Sequence, residues 1–340
     1  MHAAAPAPIP VTLIGGFLGA GKTTLLNHVL SADHGVRAAV LVNDFGSINI
    51  DAKLVVGVEG EAVNLANGCV CCTIRGDLVA ACLGLLQRPE APEHVLIELS
   101  GVSDPVPVLN TFLETELGSV FRLSSILSVV DAEQLPGLEG EMRDLARTQV
   151  AAADIVVLNK VDLVDDDGRA RVKRQVHEIT PGSRIIEASH GDVPLELVFG
   201  DVAVHSDTST RADSQAGGER PHGHPFATWS WESGQPLSLP RLRAALEAMP
   251  DSVYRCKGIV CLEELPMFRY VLQMVGKRYH LEETERWGAE RPRSQVVLIG
   301  GRDGIDPEAL QRVFDGCIGT GDEASSPILR LARKIAPDLL

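Results

Sequence analysis

The octapeptide GFLGAGKT at residues 16–23 restricts the fold more than any other stretch of the chain. It fits the spacing G-x-x-x-x-G-K-[ST], and it joins a short β-branched run, VTLIGG, to a helix-like segment, KTTLLNHVLSA. A glycine-rich turn from strand to helix leaves backbone N–H groups and the positive end of the helix facing one point. That arrangement suits phosphate. Gly16, Gly19, Ala20, Gly21, Lys22, Thr23 and Thr24 are therefore the predicted phosphate-loop contacts. Lys22 is expected to neutralise the β- and γ-phosphates, and the Thr23 hydroxyl to sit on Mg²⁺. Lys22 and Thr23 are thus the first two residues assigned to catalysis.

Such a turn implies a parallel sheet, and four further runs fit one. AAVLVND (38–44), HVLIELSG (94–101), SSILSVVD (124–131) and DIVVLNKVD (154–162) each end an apolar strand on a polar or acidic residue. Continuous rather than alternating apolar character predicts strands covered on both faces. The helical stretches between them predict a doubly wound, mostly parallel α/β domain, with ligands beyond the strand C-termini. HSDTSTRADSQAGGERPHGHP (205–225) has no apolar period and reads as a linker. Beyond it, FATWSWES, SLPRLRAALEAM, YRCKGIVCLEE, FRYVLQMVGKRYHLEE, SQVVLIGG and PEALQRVFDGCI predict a smaller α+β domain with antiparallel strands. The expected layout is a tail at 1–9, the α/β domain at 10–204, the linker at 205–225, the α+β domain at 226–320 and an extension at 321–340.

NKVD (159–162) addresses the base. A carboxylate at Asp162 can accept from N1–H and N2–H₂ of guanine together, a pair that adenine lacks. Asn159 would tether the loop, and the stem of Lys160 would lie along the purine. EASHG (187–191) falls where a last base-contacting loop belongs, with Ser189 as its candidate contact. In HVLIELSG, Glu98 is expected to hold Mg²⁺ through water, as the third catalytic assignment, and the Gly101 N–H to sense the γ-phosphate. NDFGSINID (43–51) reads as a first switch segment, with Asp44 and Asp51 as candidate metal contacts, Asp51 for Mg²⁺. Val102 follows Gly101 where a water-orienting glutamine often stands, which predicts slow intrinsic GTP hydrolysis, with positioning and charge stabilisation as its means.

Net charge enters when partners are considered. At -15 over 340 residues, the chain lacks the clustered cations that nucleic acid demands. No apolar run approaches the roughly 18 residues needed to span a bilayer, so no membrane partner is expected. MHAAAPAPIP lacks the basic start and apolar stretch of an export signal. With seven cysteines, an odd number, the expectation is a cytoplasmic protein with reduced thiols.

Three of those thiols, Cys69, Cys71 and Cys72, crowd into GCVCCTIRGDL (68–78). Thiolates are soft ligands for Zn²⁺, and for Co²⁺ and other late transition metals. Three in one loop fill three tetrahedral positions and leave a fourth open, as suits a metal that is handed on. Buried apolar cysteines or a redox switch are the competing readings. Cys82, Cys256, Cys261 and Cys317 sit singly in apolar segments and are expected in the core.

Taken in order, GGFLGAGKTTLLNHVL, VNDFG, GCVCCTIRGDL, ELSGVSDP, LNKVDL and EASHG resemble the CobW family of P-loop GTPases, over roughly residues 10 to 320. The resemblance implies that Cys69, Cys71 and Cys72 bind a transition metal, most often zinc, and that GTP binding and hydrolysis control its transfer to a client metalloprotein. Two features depart from the family pattern. Asp44 and Ser47 stand where members often carry switch glutamates, and only His222 and His224, with His205 upstream, represent the histidine-rich tract of many members. An alternative reading is a GTP-dependent activator or assembly factor for a cobalt- or cobalamin-dependent enzyme. A metabolic kinase is disfavoured by NKVD.

Overall fold

The computed structural model describes residues 8–42, 63–64, 73–114, 117–200, 226–301 and 305–319. They fall into two compact units, one within residues 1–218 and one within 219–340.

The first unit is built on a parallel sheet. Its strands are β1 (Ile9–Gly16), β2 (Ala38–Val42), β3 (Val63–Asn64), β4 (His94–Glu98), β5 (Phe121–Asp131), β6 (Ile155–Asn159) and β7 (Arg184–Glu187). Among the described residues their order is β3-β2-β4-β1-β5-β6-β7, and every pairing is parallel. All five residues of β4 and all five of β6 are buried, as continuous apolar runs require when both faces are covered. The covering helices are α1 (Lys22–Ser31), α2 (Thr73–Leu86), α3 (Val106–Glu114), α4 (Leu117–Val120), α5 (Gly140–Ala151), α6 (Asp166–Ile179) and α7 (Leu195–Phe199). One core joins Val11, Leu13, Leu41 and Ile97 of the sheet to Leu78 and Leu85 of α2 and Phe112 of α3. Another joins Val130, Val156 and Leu158 to Ala146 and Val150 of α5 and to Val172 and Val176 of α6.

The chain leaves β1 in one direction for β2 and later returns past it to β5, so strand order reverses at β1. Ligands in open parallel sheets bind at such a reversal, outside the strand C-termini. GFLGAGKT, the end of β4 and the end of β5 meet there.

In the second unit β8 (Phe226–Ser233), β9 (Val253–Val260), β10 (Phe268–Val275), β11 (Arg278–Arg286) and β12 (Ser294–Gly301) pair antiparallel in the order β11-β10-β9-β12-β8. On β12, Val296 and Leu298 are buried while Val297 between them is exposed, the alternation of a sheet covered on one face. Helices α8 (Leu239–Glu247) and α9 (Pro307–Asp315) complete that core through Leu242, Leu246, Leu310 and Phe314. Asp306 caps α9 by accepting from the N–H groups of Glu308 and Ala309, both at 3.0 Å, with Pro307 opening the helix.

Candidate nucleotide-binding site

Helix α1 starts in an unusual way. Gly21 precedes it in the left-handed region at φ 100°, and no side chain caps its first turn, which also holds no acidic residue. Helix α6, by contrast, is closed by Asp165, which accepts from the Gly168 N–H at 2.7 Å. An end without side-chain caps leaves backbone donors and the positive end of the dipole for an anion. A Cβ on Gly21 would run into the side-chain amide of Asn159, so a larger residue here is excluded by contact as well as by φ. Gly16 and Gly19 also have positive φ, at 133° and 73°. Lys22 is buried, and its Nζ donates to the Phe17 carbonyl at 3.1 Å, so the ammonium folds back over its own loop. Ala20 is buried and Thr24 exposed.

Parallel register then sets Glu98 beside α1. Glu98 ends β4 level with Ile14 of β1 and Val42 of β2, and it is 2% exposed. The Thr23 hydroxyl donates to Glu98 Oε1 at 2.7 Å. Hydroxyl and carboxylate together are hard oxygen donors of the kind Mg²⁺ takes, so the residues fit that ion. Past β4 the chain turns at Gly101, which lies against the phosphate loop: a Cβ there would stand 2.8 Å from both the N and Cα of Leu18. Only glycine permits this approach.

The base-side loops are tied to the phosphate loop through one side chain. Asn159, 1% exposed, donates from Nδ2 to the Ala20 carbonyl at 2.9 Å, and its Oδ1 accepts from the Gly191 N–H at 3.1 Å. The Val161 N–H also reaches the Ala188 carbonyl, at 3.3 Å. Residues 17–21, 159–162 and 187–191 therefore form one hydrogen-bonded assembly. Within it Asp162 is exposed on a short 3₁₀ turn, and Ser189 is half-buried. Lys160 adopts φ 60°, and its Nζ donates to Asp131 Oδ2 at 2.7 Å. Asp131 is otherwise committed to the N–H groups of Glu133 and Gln134, at 2.9 and 3.1 Å. This anchoring role of Asp131 escapes a reading of sequence alone. Its only signal there is an acid at a strand end, and its partner appears only when β5 and β6 align Asp131 with Asn159.

Cys69, Cys71, Cys72, Asp44, Asp51, His205, His222 and His224 lie outside the described residues. Cys82, Cys256, Cys261 and Cys317 are buried, as their apolar surroundings predict. Burial pushes the Cys82 thiol up to about 12, those of Cys261 and Cys317 to about 11, and that of Cys256 higher still. Burial therefore favours the neutral thiol in all four. Among the described residues no group of three or more His, Cys, Asp or Glu could hold a metal ion, and no helix is long and apolar enough to cross a membrane.

Comparison with known proteins agrees with this architecture. Residues 10–187 match the model described as CobW/HypB/UreG, nucleotide-binding domain, and residues 226–318 match the cobalamin synthesis protein cobW C-terminal domain. The zinc chaperone CobW of Pseudomonas aeruginosa is 31% identical over 89% of this chain and 90% of that protein. The zinc chaperone YjiA of Escherichia coli is 30% identical over 91% and 98%. The crystal structure of Zn(II)-bound YjiA GTPase from E. coli aligns at 24% identity with a TM-score of 0.43, covering 92% of this chain and 99% of that one. With both domain models matched in order and a relative above 30% identity along most of its length, the chain belongs to the CobW/HypB/UreG family.

Proposed function

We propose that this chain is a GTP-hydrolysing metallochaperone, which binds a transition metal, zinc first among the candidates with cobalt next, through Cys69, Cys71 and Cys72. It passes the metal to a client protein under control of its nucleotide state, in the cytoplasm, where thiols stay reduced. The observation that carries the nucleotide half is the Asn159 bridge between Ala20 and Gly191. It holds the phosphate loop at a fixed distance from an exposed Asp162, so one ligand with a phosphate chain and a guanine face satisfies both ends. The metal half is supported by the thiol loop in the sequence and by relatives named as zinc chaperones over 90% and 98% of their lengths. A relative named as a zinc-regulated GTPase metalloprotein activator, from Dictyostelium discoideum, is matched over only 48% of its length. The chaperone reading is therefore preferred to that of an activator dedicated to one enzyme.

Each residue has a defined task in this reading. Lys22 neutralises the transferring phosphate, backbone donors at the start of α1 bind its oxygens, and Gly101 responds to the γ-phosphate. Thr23 would hold Mg²⁺ and Glu98 would hold it through water, with Asp51 of the first switch segment as a further candidate contact; the ion when bound offsets charge on the phosphate oxygens. Asp162, Lys160 and Ser189 select and seat the base. With Val102 in place of a water-orienting side chain, turnover is slow and the protein acts as a switch.

Two variants separate the halves. Cys71→Ser combined with Cys72→Ser lowers bound zinc, measured by elemental analysis of untagged protein, and leaves GDP affinity within about threefold. Lys22→Ala does the reverse, lowering GTP affinity while zinc remains. Unchanged zinc stoichiometry in the double cysteine variant defeats the metal assignment.

A further inference from the structure

Gln149 lies on α5 with 4% exposure, on the face that also buries Ala146 and Val150. Packing alone calls for an apolar residue there, because a buried amide costs free energy unless its polar atoms are matched. Both matches go to one place. Gln149 Nε2 donates to the Gly101 carbonyl at 3.2 Å and to the Ser103 carbonyl at 3.0 Å. The turn is itself closed by the Ser103 N–H on the Ser100 carbonyl, at 3.0 Å. Two carbonyls can face only donors, so the amide orientation is set by its surroundings. Gln149 and Ser128 both line a small cavity of about 10 Å³, and neither the buried Oε1 of Gln149 nor the Ser128 hydroxyl has a hydrogen-bond partner among the described residues. That volume is close to the room one water needs, and a water there that donates to Oε1 would fix the carbonyl end as well.

We propose that Gln149 is a positioning residue for the Gly101–Ser103 turn: it holds the Gly101 and Ser103 carbonyls, and so fixes the turn that carries the Gly101 N–H to the terminal phosphate. This rests on the reading that Gly101 responds to that phosphate. Because the bonds go to backbone carbonyls 46 and 48 residues away, Gln149 also ties the turn to α5. A shift of Gly101 towards the phosphate carries its carbonyl along and alters the bond to Gln149, and α5 registers the nucleotide state.

The test uses the full chain with Q149M, which keeps the length and removes the donor, and Q149E, which replaces it with an acceptor. Both variants are expected to lose about tenfold in kcat for GTP hydrolysis and in affinity for a non-hydrolysable GTP analogue, while GDP affinity stays within about twofold. Q149E should recover analogue affinity as pH falls, because a protonated carboxyl restores one donor. Unchanged GTP parameters, or equal losses for GDP and GTP, overturn the proposal; the second result marks a packing role alone. If neither variant folds, the Gln149 side-chain amide NMR signal of the wild-type chain decides. It should shift between the GDP and GTP-analogue states, and an unmoved signal overturns the proposal. A wild-type chain that binds no guanine nucleotide fails the proposed function instead, which keeps the two failures distinct.

Discussion

The proposed choice of base rests on one side chain, Asp162. Its carboxylate is exposed on a short turn directly after β6, where a ligand's base edge can reach it. Two hydrogen bonds from guanine to a charged acceptor are worth about 1.5 kcal/mol each at the lower end. Asp162→Ala should therefore weaken GDP binding by roughly a hundredfold, with little effect on the weak binding of ADP. Isothermal titration of both nucleotides checks this, and equal losses for the two would remove Asp162 from base selection. A second expectation concerns the buried thiols. With Cys82 pushed up to about 12 and Cys261 and Cys317 to about 11, their reactive thiolate forms are scarce at pH 8 and become abundant only in strong base. Alkylation of the folded chain at pH 8, read by mass spectrometry, should leave these three and Cys256 unmodified, and unfolding should expose all four. Labelling of any of the four before unfolding contradicts their burial.

At the scale of elements, Asn159 is where strand, phosphate loop and base loops become one piece. Asn159→Ala removes a donor from the Ala20 carbonyl and an acceptor from the Gly191 N–H, both in a buried setting. About 2 kcal/mol of stability should be lost, and GDP affinity should fall with it because the two ends of the ligand site are no longer tied. Urea unfolding with and without GDP measures both effects, and a stable variant with normal GDP affinity would reduce the bridge to a local contact. Asn159 also marks what was legible in the sequence. Its tethering role was readable because NKVD follows an apolar run, and the strand–turn–helix around GFLGAGKT was readable from spacing and glycine alone. The parallel sheet followed from continuous apolar runs ending on a polar or acidic residue, and the second unit was read as a small α+β domain with antiparallel strands. Asp131 and Gln149 were not readable. Each acts on a partner brought near only by strand register or helix packing, 29 residues away for Lys160 and 46 or more for the turn carbonyls. Local pattern carries no trace of such pairs.

For the whole molecule, the proposed switch is a statement about coupling between two ligands. The thiol loop at 69–72 lies in sequence between the first switch segment and β4, whose end carries Glu98 and leads into Gly101. A change at Gly101 that alters the geometry of the thiols makes zinc affinity depend on nucleotide, and linkage then fixes the reciprocal effect. If GTP in place of GDP changes zinc affinity by some factor, zinc must change the GTP-to-GDP affinity ratio by the same factor. Typical couplings of about 1–3 kcal/mol predict a change of about 5- to 150-fold. A carrier that loads in one state and releases in the other must bind zinc more tightly in the loading state, and hydrolysis supplies the irreversible step between them. Zinc affinity is measured by competition with a chromophoric chelator in the nucleotide-free, GDP and GTP-analogue states, and nucleotide affinity is measured with and without zinc. The two ratios should agree within error and differ from one. Equal zinc affinities in all three states would leave a GTPase and a metal site on one chain with no coupling between them, and the carrier cycle would have no means of release.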